Sequence, residues 1–214
     1  MEIAFIYSSF AARFSIKLKK MLVQHEEART KIVETARNIF THFGFKKTTM
    51  EEIALATRKG KSSIYYYFSS KEEIFKAVVE KEAEELKAEL YKKISDIEDP
   101  IERLKVYITV RMRKLNKLTN FYSALKSDYL SHFEFIEQIR KSYDLDEIRI
   151  VTGIIQEGIE KNKFSVEDPN LSAVAIVTAM KGLEVPIFTS KEHGNFEIRL
   201  DNLVNFLFYG IVKR

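Results

Sequence analysis

Cysteine and tryptophan are absent from these 214 residues, and proline (3) and glycine (7) are scarce. Without cysteine there is no disulfide, no thiolate nucleophile and no cysteine-ligated zinc or iron–sulfur site, and a reducing cytoplasm is the expected location. Few helix breakers leave room for long helices and disfavour an all-β or glycine-loop-rich architecture. No stretch reaches the roughly 20 continuous apolar residues that span a bilayer, so no membrane partner is expected. Catalytic signatures are missing as well. His25, His42, His132 and His193 are dispersed, with no HExxH, no nucleophile elbow and no phosphate-cradling glycine loop. Glu82, Glu84, Glu85 and Glu89 read as a solvated helix face. The expectation is a protein that is not an enzyme and uses neither metal nor cofactor.

Hydrophobic residues make up 45% and charged residues 31%, enough for a packed core in one large domain or two small ones. The formal net charge of +4 is unevenly placed. The first 80 residues hold 14 Lys and Arg against 9 Asp and Glu, a modest basic excess, whereas the remainder is close to neutral. A basic head on a neutral body suggests a polyanion-binding unit with a different task behind it. The first 20 residues do not have the order of an export signal: Glu2 leads, Arg13 interrupts, and Lys17, Lys19 and Lys20 come last. Met21, directly after that cluster, is a candidate translation start. Residues 1–20, if translated, form either a basic arm near DNA or a weak amphipathic helix.

From Glu26 the apolar residues Ile32, Val33, Ala36, Ile39, Phe40 and Phe43 recur at helical steps, and Gly44 ends the helix. Thr49-Met50-Glu51-Glu52 is a capping box opening a short helix with Ile53, Ala54 and Ala56. Arg58-Lys59-Gly60 breaks it, and a second short helix runs from Lys61 to about Phe68. Ser70-Lys71-Glu72-Glu73 is another capping box and starts a long helix over 71–93. Pro100 and Pro169 sit at first turns of further helices. Others are expected at about 120–128, 133–161, 171–188 and 196–212. The fold class is therefore all-α, with about nine helices and no strands.

Two short helices joined by a tight turn and preceded by a stabilising helix make a helix-turn-helix, whose second helix presents its N-terminal side chains to the major groove. Lys61, Ser62 and Ser63 are donors near that helix start, while Ile64 and Phe68 anchor the opposite face. The tyrosine hydroxyls of Tyr65 and Tyr66 can reach phosphate oxygens, and Tyr67 is expected in the core.

The run from Arg29 to about Glu80 resembles the DNA-binding domain of the TetR family of bacterial transcriptional regulators. The likeness lies in Ile32, Ala36, Phe40, Gly44-Phe45, Thr48-Thr49, Ile53-Ala54 and the stretch from Lys61 to Glu73. It implies phosphate contacts from Thr48, Thr49, Tyr65, Tyr66 and Lys71, and groove contacts from Lys61, Ser62 and Ser63. At the turn the family usually has glycine, an apolar residue and a Ser or Thr cap. Here Arg58, Lys59 and Gly60 stand instead, and the charge at Arg58 and Lys59 can add phosphate contacts.

The resemblance divides the chain into an N-terminal extension (1–25), a helix-turn-helix domain (26–70) and a helical ligand-binding and dimerisation domain (71–214). It implies a repressor that binds a palindromic double-stranded DNA operator as a homodimer and is released when a small molecule re-angles the fourth helix. Tyr107, Met112, Phe121, Tyr122, Tyr129, Phe133 and Tyr143 are candidates to line an apolar or aromatic effector pocket. One head reads only about 3–4 side chains' worth of base edges, so two heads are expected. The last two helices would pair between copies, with Ala175, Ala179, Gly182, Phe196, Leu203, Phe206 and Tyr209 as interface candidates. The alternative keeps the fold but makes it a DNA-bound adaptor that recruits a protein partner without an inducer.

Overall fold

Nothing between Glu2 and Phe43 stops a helix, since the segment holds neither proline nor glycine. In the computed structural model the first helix accordingly runs the whole way, as α1 (Glu2–Phe43), starting far upstream of the expected Glu26. The structure describes residues 2–115, 117–118, 134–189 and 196–209, with the side chains of 2–16, 136–137, 139–140, 183–189 and 209 excepted. After α1 come α2 (Met50–Ala56), α3 (Lys61–Tyr67), α4 (Lys71–Ile94), α5 (Pro100–Leu115), α6 (Glu134–Glu160), α7 (Pro169–Thr189) and α8 (Phe196–Tyr209). These are eight helices among the described residues, close to the expected nine. The short segment expected at 120–128 lies outside the described residues.

The chain divides into two compact units, Met1–Val78 and Val79–Arg214. In the first, the spacing of Ile32, Val33, Ala36 and Phe40 puts all four on one buried stripe of α1. The Phe40 ring meets Phe75 edge-on at 5.2 Å, and Phe45 lies 4.8 Å from Phe75 and 5.8 Å from Phe40. This aromatic triangle ties the end of α1 to the start of α4. Gly44 ends α1 as its position predicts: it takes φ +77°, and its N–H donates to the Phe40 carbonyl at 2.8 Å.

In the second unit α6 packs most extensively on α7, while α5 lies against α6, α7 and α8. Leu104, Ile108 and Leu115 of α5, Val151 and Ile155 of α6, Ala173 and Met180 of α7 and Leu200 of α8 are all sealed from solvent. Pro100 occupies the first position of α5, where its missing N–H costs nothing. Asp168 caps α7 by accepting from the N–H groups of Asn170 and Leu171 at 2.8 and 3.0 Å. No helix among the described residues is long and apolar enough to cross a membrane.

Candidate nucleic-acid interface

The helix-turn-helix is built by three local devices. Thr49 opens α2: its hydroxyl accepts from the Glu52 N–H at 3.3 Å, and Glu52 Oε2 accepts from the Thr49 N–H at 2.7 Å, the reciprocal capping box expected from the sequence. Arg58 closes α2 in a left-handed conformation, φ +56°. Its N–H donates to Leu55 O at 3.1 Å and the Lys59 N–H to Ala54 O at 3.0 Å, the paired bonds of a Schellman turn. Arginine therefore holds here a left-handed position that glycine takes at lower cost. Gly60 then caps α3 with extended backbone and no side-chain bond.

Ile64 and Phe68 are buried and fix one face of α3, as expected from their spacing. The other face is open. Tyr66 is 72% exposed and Tyr65 46% exposed, Lys61 and Ser62 are exposed, and Ser63 is half-buried. The Lys61 ammonium pairs with Glu51 of α2. That hydrogen bond raises the lysine above its ordinary pKa and holds the carboxyl below the usual carboxylate range. Lys61 also lies 6.0 Å from the Tyr65 ring, and Lys59 lies 5.5 Å from that of Tyr67. Lys59, Lys61, Ser62, Tyr65 and Tyr66 are thus gathered about one short helix.

Two expected phosphate contacts are partly engaged inside the head. Thr48 is buried, and its hydroxyl donates to the Gly44 carbonyl at 2.9 Å. Lys71 gives two of an ammonium's three N–H bonds to Phe45 O and Thr48 O, each at 2.9 Å, and sits 4.3 Å over the Phe45 ring. Thr49 remains exposed at the start of α2. Tyr67 is half-buried, against the core position expected for it. Its neighbour is His25, whose ring lies 4.9 Å from Tyr67 and 5.7 Å from Tyr66, while Arg29 lies 4.8 Å over Phe68. Sequence reasoning missed both of these α1 residues. Their four-residue spacing, in register with Ile32 and Ala36, was the available signal.

In the second unit Tyr107 and Met112 are fully buried and Tyr143 is half-buried. Arg111, between them on the α5 core face, forks onto Glu147 of α6 and lies 5.9 Å from the Tyr143 ring. Neither Arg111 nor Glu147 was expected from the sequence, although Arg111 shares the helical register of Leu104, Ile108 and Leu115. Phe121, Tyr122, Tyr129 and Phe133 lie outside the described residues, as does the side chain of Tyr209. Of the other interface candidates, Ala175 and Gly182 are exposed, Ala179 and Phe196 half-buried, and Phe206 78% exposed. Leu203 is buried within its own chain.

Residues 32–78 match the sequence profile of the bacterial regulatory proteins of the tetR family. An uncharacterised HTH-type transcriptional regulator of Mycobacterium tuberculosis is 36% identical over 88 residues, 41% of this chain and 44% of that protein, so the match spans less than half of the relative. The HTH-type transcriptional regulator QacR of Staphylococcus aureus is 25% identical over 189 residues, 84% of this chain and 95% of QacR. A crystal structure of a transcriptional regulator from Cytophaga hutchinsonii superposes with a TM-score of 0.73 at 29% identity, covering 85% of this chain and 97% of that one.

Proposed function

We infer, from a chain that belongs by its DNA-binding domain to the tetR family of bacterial regulatory proteins, that it is a sequence-specific transcriptional regulator. It acts as a repressor, binds a palindromic operator as a homodimer, and is released by a small apolar or aromatic ligand. The observation that carries this reading is the open face of α3. Lys61, Ser62, Tyr65 and Tyr66 stand exposed on a helix whose other face is locked by buried Ile64 and Phe68. Side chains presented from a rigid support are what groove reading requires.

Pairing of two copies is supported by Phe206 and Ile198 of α8 and by Leu171 and Val174 of α7, which leave apolar surface uncovered in the single chain. Tyr107 and Met112 are sealed in the core beside Arg111 and Glu147, which join α5 to α6, so a ligand that contacts them displaces core packing.

The test is selection of bound fragments from random duplex DNA, with the stoichiometry of the retained complex. The expected result is a palindromic site carrying two chains, a changed base preference in Ser62→Ala, and uniformly weaker binding in Tyr66→Phe. Sequence-blind binding that vanishes with salt would overturn operator recognition. A site bound by single chains, with Phe206→Glu without effect, would overturn the dimer.

A further inference from the structure

The net charge of the whole protein sits in one stretch of α1. Between Ile3 and His25 the sequence carries Arg13, Lys17, Lys19 and Lys20 and no carboxylate. Setting those four aside leaves as many Lys and Arg as the 31 Asp and Glu, so the rest of the chain is formally neutral. Lys17, Lys19 and Lys20 are exposed.

His25 fixes where this stretch begins. Its ring packs on Tyr66 and Tyr67, and one turn later Arg29 covers Phe68, so α1 runs alongside α3 at this level. At 1.5 Å of rise per residue, Lys20 and Lys17 stand roughly 8 and 12 Å along the axis beyond His25. That is about one Debye length, some 10 Å at 0.1 M salt, from an anion held at Tyr66.

We propose that the lysine-bearing start of α1 is a second DNA-backbone contact, gripping phosphates beside those held by the helix-turn-helix. The inference rests on the DNA-binding reading of α3 and adds a surface to it. Two other occupants fit the charges less well. A second copy of the same stretch would bring cations against cations, with no carboxylate to answer them. An anionic bilayer surface needs polar and apolar halves parted along the helix. Here Lys17, Lys20 and Lys19 share an arc of about 160°, but exposed Val23 falls inside it, so the lysine face is not purely polar. Leu18, Met21 and Leu22 are exposed on the other side, so the bilayer is the rival that vesicle capture decides.

The experiment compares the full chain with the triple variant Lys17→Gln, Lys19→Gln, Lys20→Gln and with the double variant Tyr65→Phe, Tyr66→Phe. The probe is a fluorescent mixed-sequence duplex of about 40 base pairs, titrated between roughly 50 and 300 mM KCl. Each phosphate contact contributes about 0.9 to the slope of log K against log salt, so the triple variant should lose about 2 to 3 of that slope. Its circular dichroism should be unchanged. A triple variant with the parent's slope and affinity overturns the proposal. So does capture of the parent, but not the variant, by phosphatidylglycerol vesicles while the duplex slope stays the same. If the lysines matter and the tyrosines do not, this contact stands and the phosphate contacts assigned to Tyr65 and Tyr66 fail. If the parent does not bind the duplex at the lowest salt, both fail.

Discussion

Arg111 and Glu147, each almost completely sealed from solvent, join α5 to α6 through a forked pair in which Arg111 Nη2 lies 2.9 Å from Glu147 Oε2. Glu147 Oε1 faces Arg111 Nε and also accepts from the Tyr107 hydroxyl at 3.0 Å. Burial, and then the nearby Glu147 charge, push the Tyr107 phenol well above its usual pKa, so it remains a donor to that carboxylate.

Deleting one member of this pair strands the other charge in the core. Glu147→Ala or Arg111→Ala should cost about 3–5 kcal/mol, read as a lower urea midpoint. The double variant Arg111→Met, Glu147→Leu should recover most of that loss, because no buried charge remains. A double variant as damaged as either single one would show that packing, not charge, holds the seam.

At the turn, Arg58 holds a left-handed backbone that a β-carbon disfavours. Arg58→Gly should stabilise the protein by about 0.5–1 kcal/mol, a rise of a few degrees in Tm. Arg58→Val should do the reverse. Equal melting of the glycine variant and the parent would mean that the site carries no strain.

Glu73 caps the start of α4, accepting from the Ser69 N–H at 2.6 Å and the Ser69 hydroxyl at 2.8 Å. The sequence pattern pointed to Ser70. Its hydroxyl does accept from the Glu73 N–H at 3.2 Å, but the carboxylate reaches one residue further back. The Ser69 bonds, side chain first, hold the Glu73 carboxyl below its ordinary value. The unfolded chain therefore binds the proton more readily. Stability should be full above the ordinary glutamate pKa and fall as pH drops through the lower folded one. Thermal unfolding of Glu73→Gln should show a shallower decline below about pH 4.3 than the parent. Parallel curves would remove Glu73 from the acid sensitivity.

Gly158 has no room for a side chain. A β-carbon there would lie 2.1 Å from Phe164 Cδ2 and 2.6 Å from Cε2. The chain after α6 folds back so that the N–H groups of Lys163 and Phe164 both donate to Gly158 O, at 2.7 and 3.1 Å. Gly158→Ala should cost about 1–3 kcal/mol or more. Adding Phe164→Ala should cost less than the sum of the two separate losses, since they share one contact. Strict additivity in urea unfolding would place the damage elsewhere.

The helix-turn-helix was legible because its signals are local. Thr49 and Glu52, Gly44, and Ile64 with Phe68 act over three or four residues, and each does in the structure what its spacing implies. The site was less legible where a polar side chain found its partner far along the chain. Lys71, at a helix start, was expected to contact phosphate. Its acceptors are carbonyls 23 and 26 residues away. Thr48 and Thr49 are adjacent and chemically alike, yet one is buried and the other exposed.

By itself the sequence determined most of the helices among the described residues, the capping box of α2, the stop at Gly44, the short α3 and the concentration of charge before His25. These depend on backbone propensity, hydrogen bonds within a turn or two, and covalent composition. Only the tertiary structure decided which side chains those helices spend on one another. Leu203 and Phe206 lie within one turn of α8 and are similarly apolar, but Leu203 is 5% exposed and Phe206 78%. Periodicity marks a stripe as apolar without saying which edge a neighbouring helix covers. Arg111 and Glu147, 36 residues apart, become partners only once α5 and α6 have packed. Burial and long-range pairing are properties of the folded chain, because both depend on groups that local spacing does not relate.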